Sequence, residues 1–216
     1  MLAINTAFMT ANLALQTSDG KTALRDIDAK SKHSENVLKT IDEMCQETNT
    51  NILDVGTVAV VVGPGSFTGL RIGTAVAKAL GCVNENLKFV GMSSLELMAY
   101  AVSKHKMCDT DFVCALNALS GLYFVAYFSK NGIKLQEERM IGQDEFLAIK
   151  EPIFGLVGDL RDERVTEFEI KCQDMLDFAN EEEKAEKFVS MEELLPMYLR
   201  LSQAEDSLLK KNKKDW

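Results

Sequence analysis

Histidine is scarce in this chain of 216 residues: the two that occur, His33 and His105, stand 72 positions apart. A metallopeptidase needs His and carboxylate ligands clustered at short spacing, so that chemistry is excluded. Cysteines number five, at positions 45, 82, 108, 114 and 172, with no C-x-x-C spacing. Neither a disulfide framework nor a zinc knuckle is indicated, and reduced thiols are expected. Basic residues are in deficit, 24 Lys and Arg against 33 Asp and Glu, for a net charge of -9. Phosphate binding draws on clustered Lys and Arg, so any contact with RNA is expected through a partner. No apolar run approaches the roughly 18 residues of a spanning helix, and Met1 to Asn5 lead straight into strand pattern without a signal-peptide core. These absences predict a cytoplasmic protein with no membrane association.

What is present is organised in two similar halves. Leu2 to Thr6, Ala11 to Thr17 and Thr22 to Ile27 read as an antiparallel meander, with Ser18-Asp19-Gly20 as its second turn. From Ser34, a candidate helix cap, the period changes: Val37, Leu38, Ile41, Met44 and Cys45 share one helix face. A strand is predicted at Thr57 to Val62, a helix from Phe67 to about Leu80 stopped by Gly81, a strand over 88–92 and a helix over 93–104. After Asp111 the opening pattern returns, with Phe112 to Leu116, Tyr123 to Phe128 and an Asn131-Gly132 turn. Asn5 to Gly20 and Asn117 to Gly132 are each 15 positions, so the hairpins superpose at an offset of 112. Domains of 1–106 and 107–216 are expected, the second more degenerate. A duplicated meander followed by helix-strand alternation implies an α/β fold of mixed sheets with helices on their faces, as in actin-like and sugar-kinase-like ATPases. The charge-dense stretch from Glu163 to Phe188 allows at most one or two short helices, and Lys210 to Lys214 reads as a solvated end.

Gly63-Pro64-Gly65-Ser66-Phe67-Thr68-Gly69 between a strand and a helix invites a phosphate-loop reading. Gly69 is followed by Leu70-Arg71 rather than Lys-Ser or Lys-Thr, and the glycine spacing misses the dinucleotide fingerprint by one place. Ser66 lacks the G-x-S-x-G elbow of a nucleophile. The helix that follows carries Gly69, Gly73 and Ala77 at i, i+4 and i+8. Interior glycines cost about 1 kcal/mol each relative to alanine, which close backbone approach would offset. The facing element is the chain's own sheet, a second helix of this chain, or a partner's helix.

The string Gly-Pro-Gly-Ser-Phe-Thr-Gly-Leu-Arg-Ile-Gly at 63–73 resembles the signature of the TsaB (YeaZ) family. His33-Ser34-Glu35 at the first long helix, the opening Leu-Ala-Ile-x-Thr strand and Pro196-Met197-Tyr198-Leu199-Arg200 are similar in order and spacing. The resemblance implies an actin-like fold in an accessory subunit that pairs with a catalytic TsaD subunit. A TsaE ATPase joins that pair, and the group is transferred to adenosine 37 of transfer RNA, which this chain would meet only through the complex. It also implies that the two helices starting near Ser34 and Phe67 pack against a partner; for the chain alone, homodimer and monomer both stay open. The interface would draw on His33, Ser34, Val37, Leu38 and Ile41 from the first helix. From the second it would draw on Phe67, Gly69, Leu70, Arg71, Gly73, Thr74 and Ala77, with Arg71 a candidate for a salt bridge across the interface.

Two departures bear on chemistry. Family members usually carry aspartate where this chain has Asn5, and Asp-Ala-Arg where it has Asn117-Ala118-Leu119. Asparagine keeps a carbonyl ligand but loses the charge that magnesium favours. Asn5, Thr6, Gly63 and Asn117 are therefore expected to form at most a vestigial nucleotide site, with no metal, no catalytic residue and no firmly bound cofactor; ATP or ADP with Mg would bind only in the complex. An autonomous small-molecule kinase or ATPase of this fold and a serine hydrolase at Ser66 stand as the other two classes. His33 reads as the residue before a helix cap, and Cys45 and Cys82 read as small core residues.

Overall fold

The structure, a computed structural model, describes residues 1–28 and 33–198, with the side chains of residues 28 and 33–35 outside that description. Leu199, Arg200 and the Lys210 to Lys214 run also lie outside it. The first half begins with the expected meander, β1 (Leu2–Asn5), β2 (Thr10–Gln16) and β3 (Thr22–Asp28). It continues through α1 (His33–Thr48), β4 (Thr57–Gly63), α2 (Phe67–Val83), β5 (Lys88–Ser93) and α3 (Ser94–Lys104). The second half holds β6 (Phe112–Leu119), β7 (Leu122–Phe128), β8 (Arg139–Gly142), α4 (Gln143–Leu147), β9 (Ile153–Leu156), β10 (Val165–Phe168) and α5 (Cys172–Lys184).

The duplication is written in the topology. One five-stranded sheet has the order β3-β2-β1-β4-β5, and the other, read from β8, has β8-β7-β6-β9-β10. In both the hairpin strands are antiparallel and the two later strands add in parallel. Gly20 and Gly132 occupy matching turns, both with positive φ. The hairpins differ by one residue of register: Ala3 faces Ala14, whereas Ala115 faces Val125 and Cys114 faces Ala126.

Each sheet is buried on both faces near its centre, which is why its strands read as apolar runs. Leu2, Ile4, Val58 and Val60 point to an outer core with Val37, Ile41 and Met44 of α1 and Val76 and Ala77 of α2. The alternate residues Ala3, Ala59 and Val61 join an inner core with Leu97, Met98 and Ala101 of α3, Met175, Leu176 and Ala179 of α5, and Phe112, Phe128 and Phe154 of the second sheet. That period of two fixes which face meets which helix. Among the described residues, no helix is long and apolar enough to cross a membrane.

Three expectations change. The second long helix runs through Gly81 to Val83 and is capped at Asn84, because Gly81 is a packing position: a Cβ there would lie 2.5 Å from the Phe89 ring. The charge-dense stretch contains a strand and a helix of 13 residues, whose buried side holds Met175, Leu176 and Ala179 together with the carboxylates of Asp174 and Glu182. Cys82 is exposed, unlike Cys45, since its place on α2 turns away from the sheet.

Candidate functional site

The strand β4 delivers the chain into Gly63-Pro64-Gly65-Ser66, where Ser66 caps α2 by accepting from the Gly69 N–H at 3.3 Å. Its hydroxyl is thereby occupied in a capping role. Thr6, at the end of β1, donates its hydroxyl to the Gly69 carbonyl at 2.6 Å, and the Ser66 N–H donates to the Ala7 carbonyl at 2.8 Å. These bonds clamp the start of α2 onto the β1–β2 turn.

The clamp decides what the small residues do. A Cβ at Gly69 would lie 1.8 Å from the Thr6 carbonyl oxygen, and one at Gly73 would lie 2.7 Å from the Thr6 hydroxyl and 3.1 Å from Val60. Ala77 is fully buried in the core beneath. The stripe Gly69, Gly73 and Ala77 therefore faces this chain's own sheet, where the sequence also allowed a partner helix. Leu70 is buried in the inner core, and the Thr74 hydroxyl donates to the Leu70 carbonyl at 2.8 Å. Val37 and Ile41 are likewise interior, while Leu38 is 60% exposed. The side chains of His33 and Ser34 lie outside the described residues.

The outward side of α2 carries Thr68, Arg71, Ala75, Ala79, Cys82 and Val83, with Ile72 and Lys78 half-buried. Ala75 and Ala79 repeat the i, i+4 spacing of small residues on the face opposite the glycines. That second stripe was present in the sequence but masked by the stronger glycine signal. Between α1 and α2 runs a groove of about 690 Å³ lined by Leu38, Ile41, Cys45, Val76 and Leu80, with Asp42 and Gln46 on its rim. Burial, and then the Asp42 charge, push the Cys45 thiol up, so it stays a neutral apolar lining. At the N-terminal end of α2, Phe67 is 39% exposed and the Arg71 guanidinium lies over its ring at 3.8 Å.

Asn5 is fully buried, and its amide is committed at both ends. Its oxygen accepts from the Ala7 N–H at 3.0 Å and its Nδ2 donates to Asn12 Oδ1 at 2.8 Å. Asn12 in turn donates to Asp26 Oδ1 at 2.7 Å, and the Cys172 thiol of α5 donates to the same oxygen at 2.8 Å. Burial, and then the Asp26 contact, push that thiol up to about 12, so it remains a donor. The second asparagine is tied too: the Asn117 oxygen accepts from the Leu119 N–H at 2.8 Å, and its Nδ2 donates to the Asp159 carbonyl at 3.1 Å. It borders a second cavity of about 450 Å³ shared with Ser120, Tyr123, Asp159 and Arg161. Burial raises the Asp159 carboxyl, which accepts from the Asn117 N–H at 2.8 Å.

The resemblance to actin-like ATPases raises the question of magnesium and a nucleotide between the two hairpins. The side chains here do not fit that pair: Asn5 is fully buried, carries no charge for a hard cation and already accepts from Ala7, and Gly63 lies under the Met197 carbonyl, 2.9 Å from where its Cβ would be. Among the described residues, no group of three or more His, Cys, Asp or Glu is placed to hold a metal ion.

Comparison with known proteins identifies the family. The family model described as TsaD, tRNA N6-adenosine threonylcarbamoyltransferase, matches residues 27–149. The tRNA threonylcarbamoyladenosine biosynthesis protein TsaB of Escherichia coli K12 is 31% identical over 140 residues, 64% of this chain and 59% of that protein. TsaB of Bacillus subtilis 168 is 31% identical over 99 residues, 46% of this chain and 43% of its own length. The chain thus spans about half the length of these curated relatives. In fold, YeaZ from Pseudomonas aeruginosa superposes with a TM-score of 0.75 at 20% identity, covering 92% of this chain and 98% of that one.

Proposed function

This chain belongs to the TsaD family, in its TsaB (YeaZ) branch, and we propose that it serves as a non-catalytic subunit in the making of threonylcarbamoyladenosine in transfer RNA. Its partner in this reading is a TsaD-like catalytic subunit, joined by a TsaE-like ATPase. Transfer RNA is reached only through that assembly, in the cytoplasm. The observation that carries the reading is the outward face of α1 and α2, where Leu38, Ala75, Ala79 and Val83 are exposed and Leu38, Val76 and Leu80 line an open groove. Two helices presenting small and apolar residues side by side suit packing against two more helices, since alanines let the axes approach to about 8 Å. The committed amides of Asn5 and Asn117 support a scaffold rather than a catalyst.

The test is association with the TsaD-like subunit of the same organism. Ala75→Trp and Ala79→Arg change only outward positions, so the isolated chain should keep its melting temperature. Filling a packed interface costs about 1 to 3 kcal/mol, which corresponds to roughly ten- to a hundredfold in affinity. Co-purification and transfer RNA modification should fall together. A wild-type chain that fails to associate, or folded variants that associate normally, would overturn the reading.

A further inference from the structure

After α5 the chain returns as a strap over residues 188–198, which bridges edge strand β5, turns at 191–193 and reaches the end of β4. The Val189 N–H donates to the Phe89 carbonyl at 3.0 Å in an antiparallel bridge, Leu194 is buried, and the Met197 N–H donates to the Val62 carbonyl at 2.6 Å. The track is floored by glycines. A Cβ at Gly81 would lie 3.1 Å from the Met191 sulfur, one at Gly91 3.8 Å from Leu194, and one at Gly63 2.9 Å from the Met197 carbonyl. Gly63 also has φ +129, which L side chains rarely adopt. The strap is thus seated by main chain and by missing side chains, and it ends at a fixed place, the first turn of α2.

There Tyr198 lies with its ring 5.0 Å from Phe67, and its hydroxyl accepts from Arg71 Nε at 3.0 Å. The Arg71 guanidinium lies over the Phe67 ring, 3.8 Å from its centroid, and 5.8 Å from that of Tyr198. All three side chains are exposed. A free arginine on a helix surface samples many rotamers, and ordering it is a cost that binding would otherwise bear. Here aromatic rings and a hydroxyl hold it, so its charge is fixed in place without being neutralised by that contact. An ordered arginine beside two aromatic rings has the composition of an interface hot spot.

We propose that Tyr198 is a positioning residue, which holds Arg71 and Phe67 in the geometry that the partner of the α1–α2 face meets. The inference rests on the docking reading above and assigns that surface its anchor. It also gives the strap a purpose beyond covering the end of the first sheet: the last described residues of the chain preset the start of its docking helix.

A double-mutant cycle in the full chain tests it, with partner affinity as one readout and the solvent exchange of the Arg71 Nε proton in the free chain as another. Tyr198→Phe removes only the hydroxyl and should weaken partner binding about fivefold, the effect of one hydrogen bond. Tyr198→Ala also removes the ring contact and should weaken it about thirtyfold. Both should speed exchange at Arg71 in the free chain without moving the melting temperature by more than about 2 °C. In an Arg71→Ala background, Tyr198→Phe should have no further effect. Additive losses would mean that Tyr198 touches the partner independently and would overturn the inference. So would unchanged affinity for Tyr198→Phe in a chain whose wild type binds. Failure of the wild type to bind refutes the docking reading itself and the anchor with it, an outcome distinct from the other two.

Discussion

Gly69→Ala adds a single methyl group and should be among the most destabilising small substitutions in this protein. By helix propensity alone it would help, since alanine is favoured over glycine by about 1 kcal/mol in a helix interior. The added Cβ, however, would lie 1.8 Å from the Thr6 carbonyl oxygen and 2.9 Å from its carbon. Those are backbone atoms, so no side-chain rotation relieves the clash. The turn after β1 would have to move from α2, opening the 2.6 Å bond from the Thr6 hydroxyl to the Gly69 carbonyl and the 2.8 Å bond from Ser66 to Ala7. Overpacking costs about 1 to 3 kcal/mol and each buried group left unpaired about 1 to 3 kcal/mol, so the net loss should be about 3 kcal/mol or more. For a chain of this size that is a fall of roughly 6 to 12 °C in melting temperature. Urea titration of the isolated chain at several concentrations measures it and separates a folding defect from a change in self-association. Gly73→Ala should cost less, because it meets the movable Thr6 hydroxyl at 2.7 Å rather than a carbonyl. An unchanged or raised melting temperature for Gly69→Ala would refute the inward orientation of the stripe and return it to a partner surface.

Asn5→Asp replaces the donor that reaches Asn12 with an acceptor in a fully buried place, so it should cost about 1 to 3 kcal/mol in denaturation and should not create a nucleotide site. A melting temperature raised by magnesium and ATP would contradict this. The wild-type chain alone should release no phosphate from ATP above blank in a steady-state assay, and magnesium-dependent turnover lost in Asn5→Ala would contradict the scaffold reading. Glu138, which accepts from the Ser93 hydroxyl beside Glu96, Glu137 and Lys134, is pushed above the usual carboxylate range, chiefly by burial. A raised folded pKa means stability that is present below the ordinary glutamate value and lost as pH rises through the folded one. Glu138→Gln should therefore flatten the fall in stability above about pH 4.5, and an identical pH profile would refute the assignment. Thiol labelling followed by mass spectrometry should modify exposed Cys82 first in the native state and leave Cys114 and Cys172, both buried with raised pKa, to react only on unfolding.

Much of the fold was legible because its strands and helices announce themselves by period. The meander from Leu2 to Ile27 and the matching spacings of Asn5 to Gly20 and Asn117 to Gly132 lead directly to the two sheets of identical order. The second half was harder to read where β9 and β10 are four residues each, too short to establish a period, and where α5 hides its apolar side among Glu181, Glu182 and Glu183. At the candidate site, the sequence identified the helices but not their facing. Gly69 and Gly73 are alike to a hydrophobicity pattern whether sheet or solvent lies beside them, and only the Thr6 carbonyl decides it. Tyr198 stood out only within the Pro196 to Arg200 string, and its contact with Phe67 and Arg71, more than 120 residues away, had no local signal.

The inner core has a consequence for how this chain can be cut. Residues from α3 and α5 fill the same space against both sheets, so neither half owns the surface that stabilises it. Separated near Lys106 to Asp111, where the chain passes from α3 to β6, the first fragment would bare Ala3, Ala14 and Met92, and the second would bare Phe112 and Phe128. Each piece alone should be aggregation-prone. Expressed together, they should recover the fold by complementation, which makes that loop the natural junction for a split version of the protein whose assembly can be switched on.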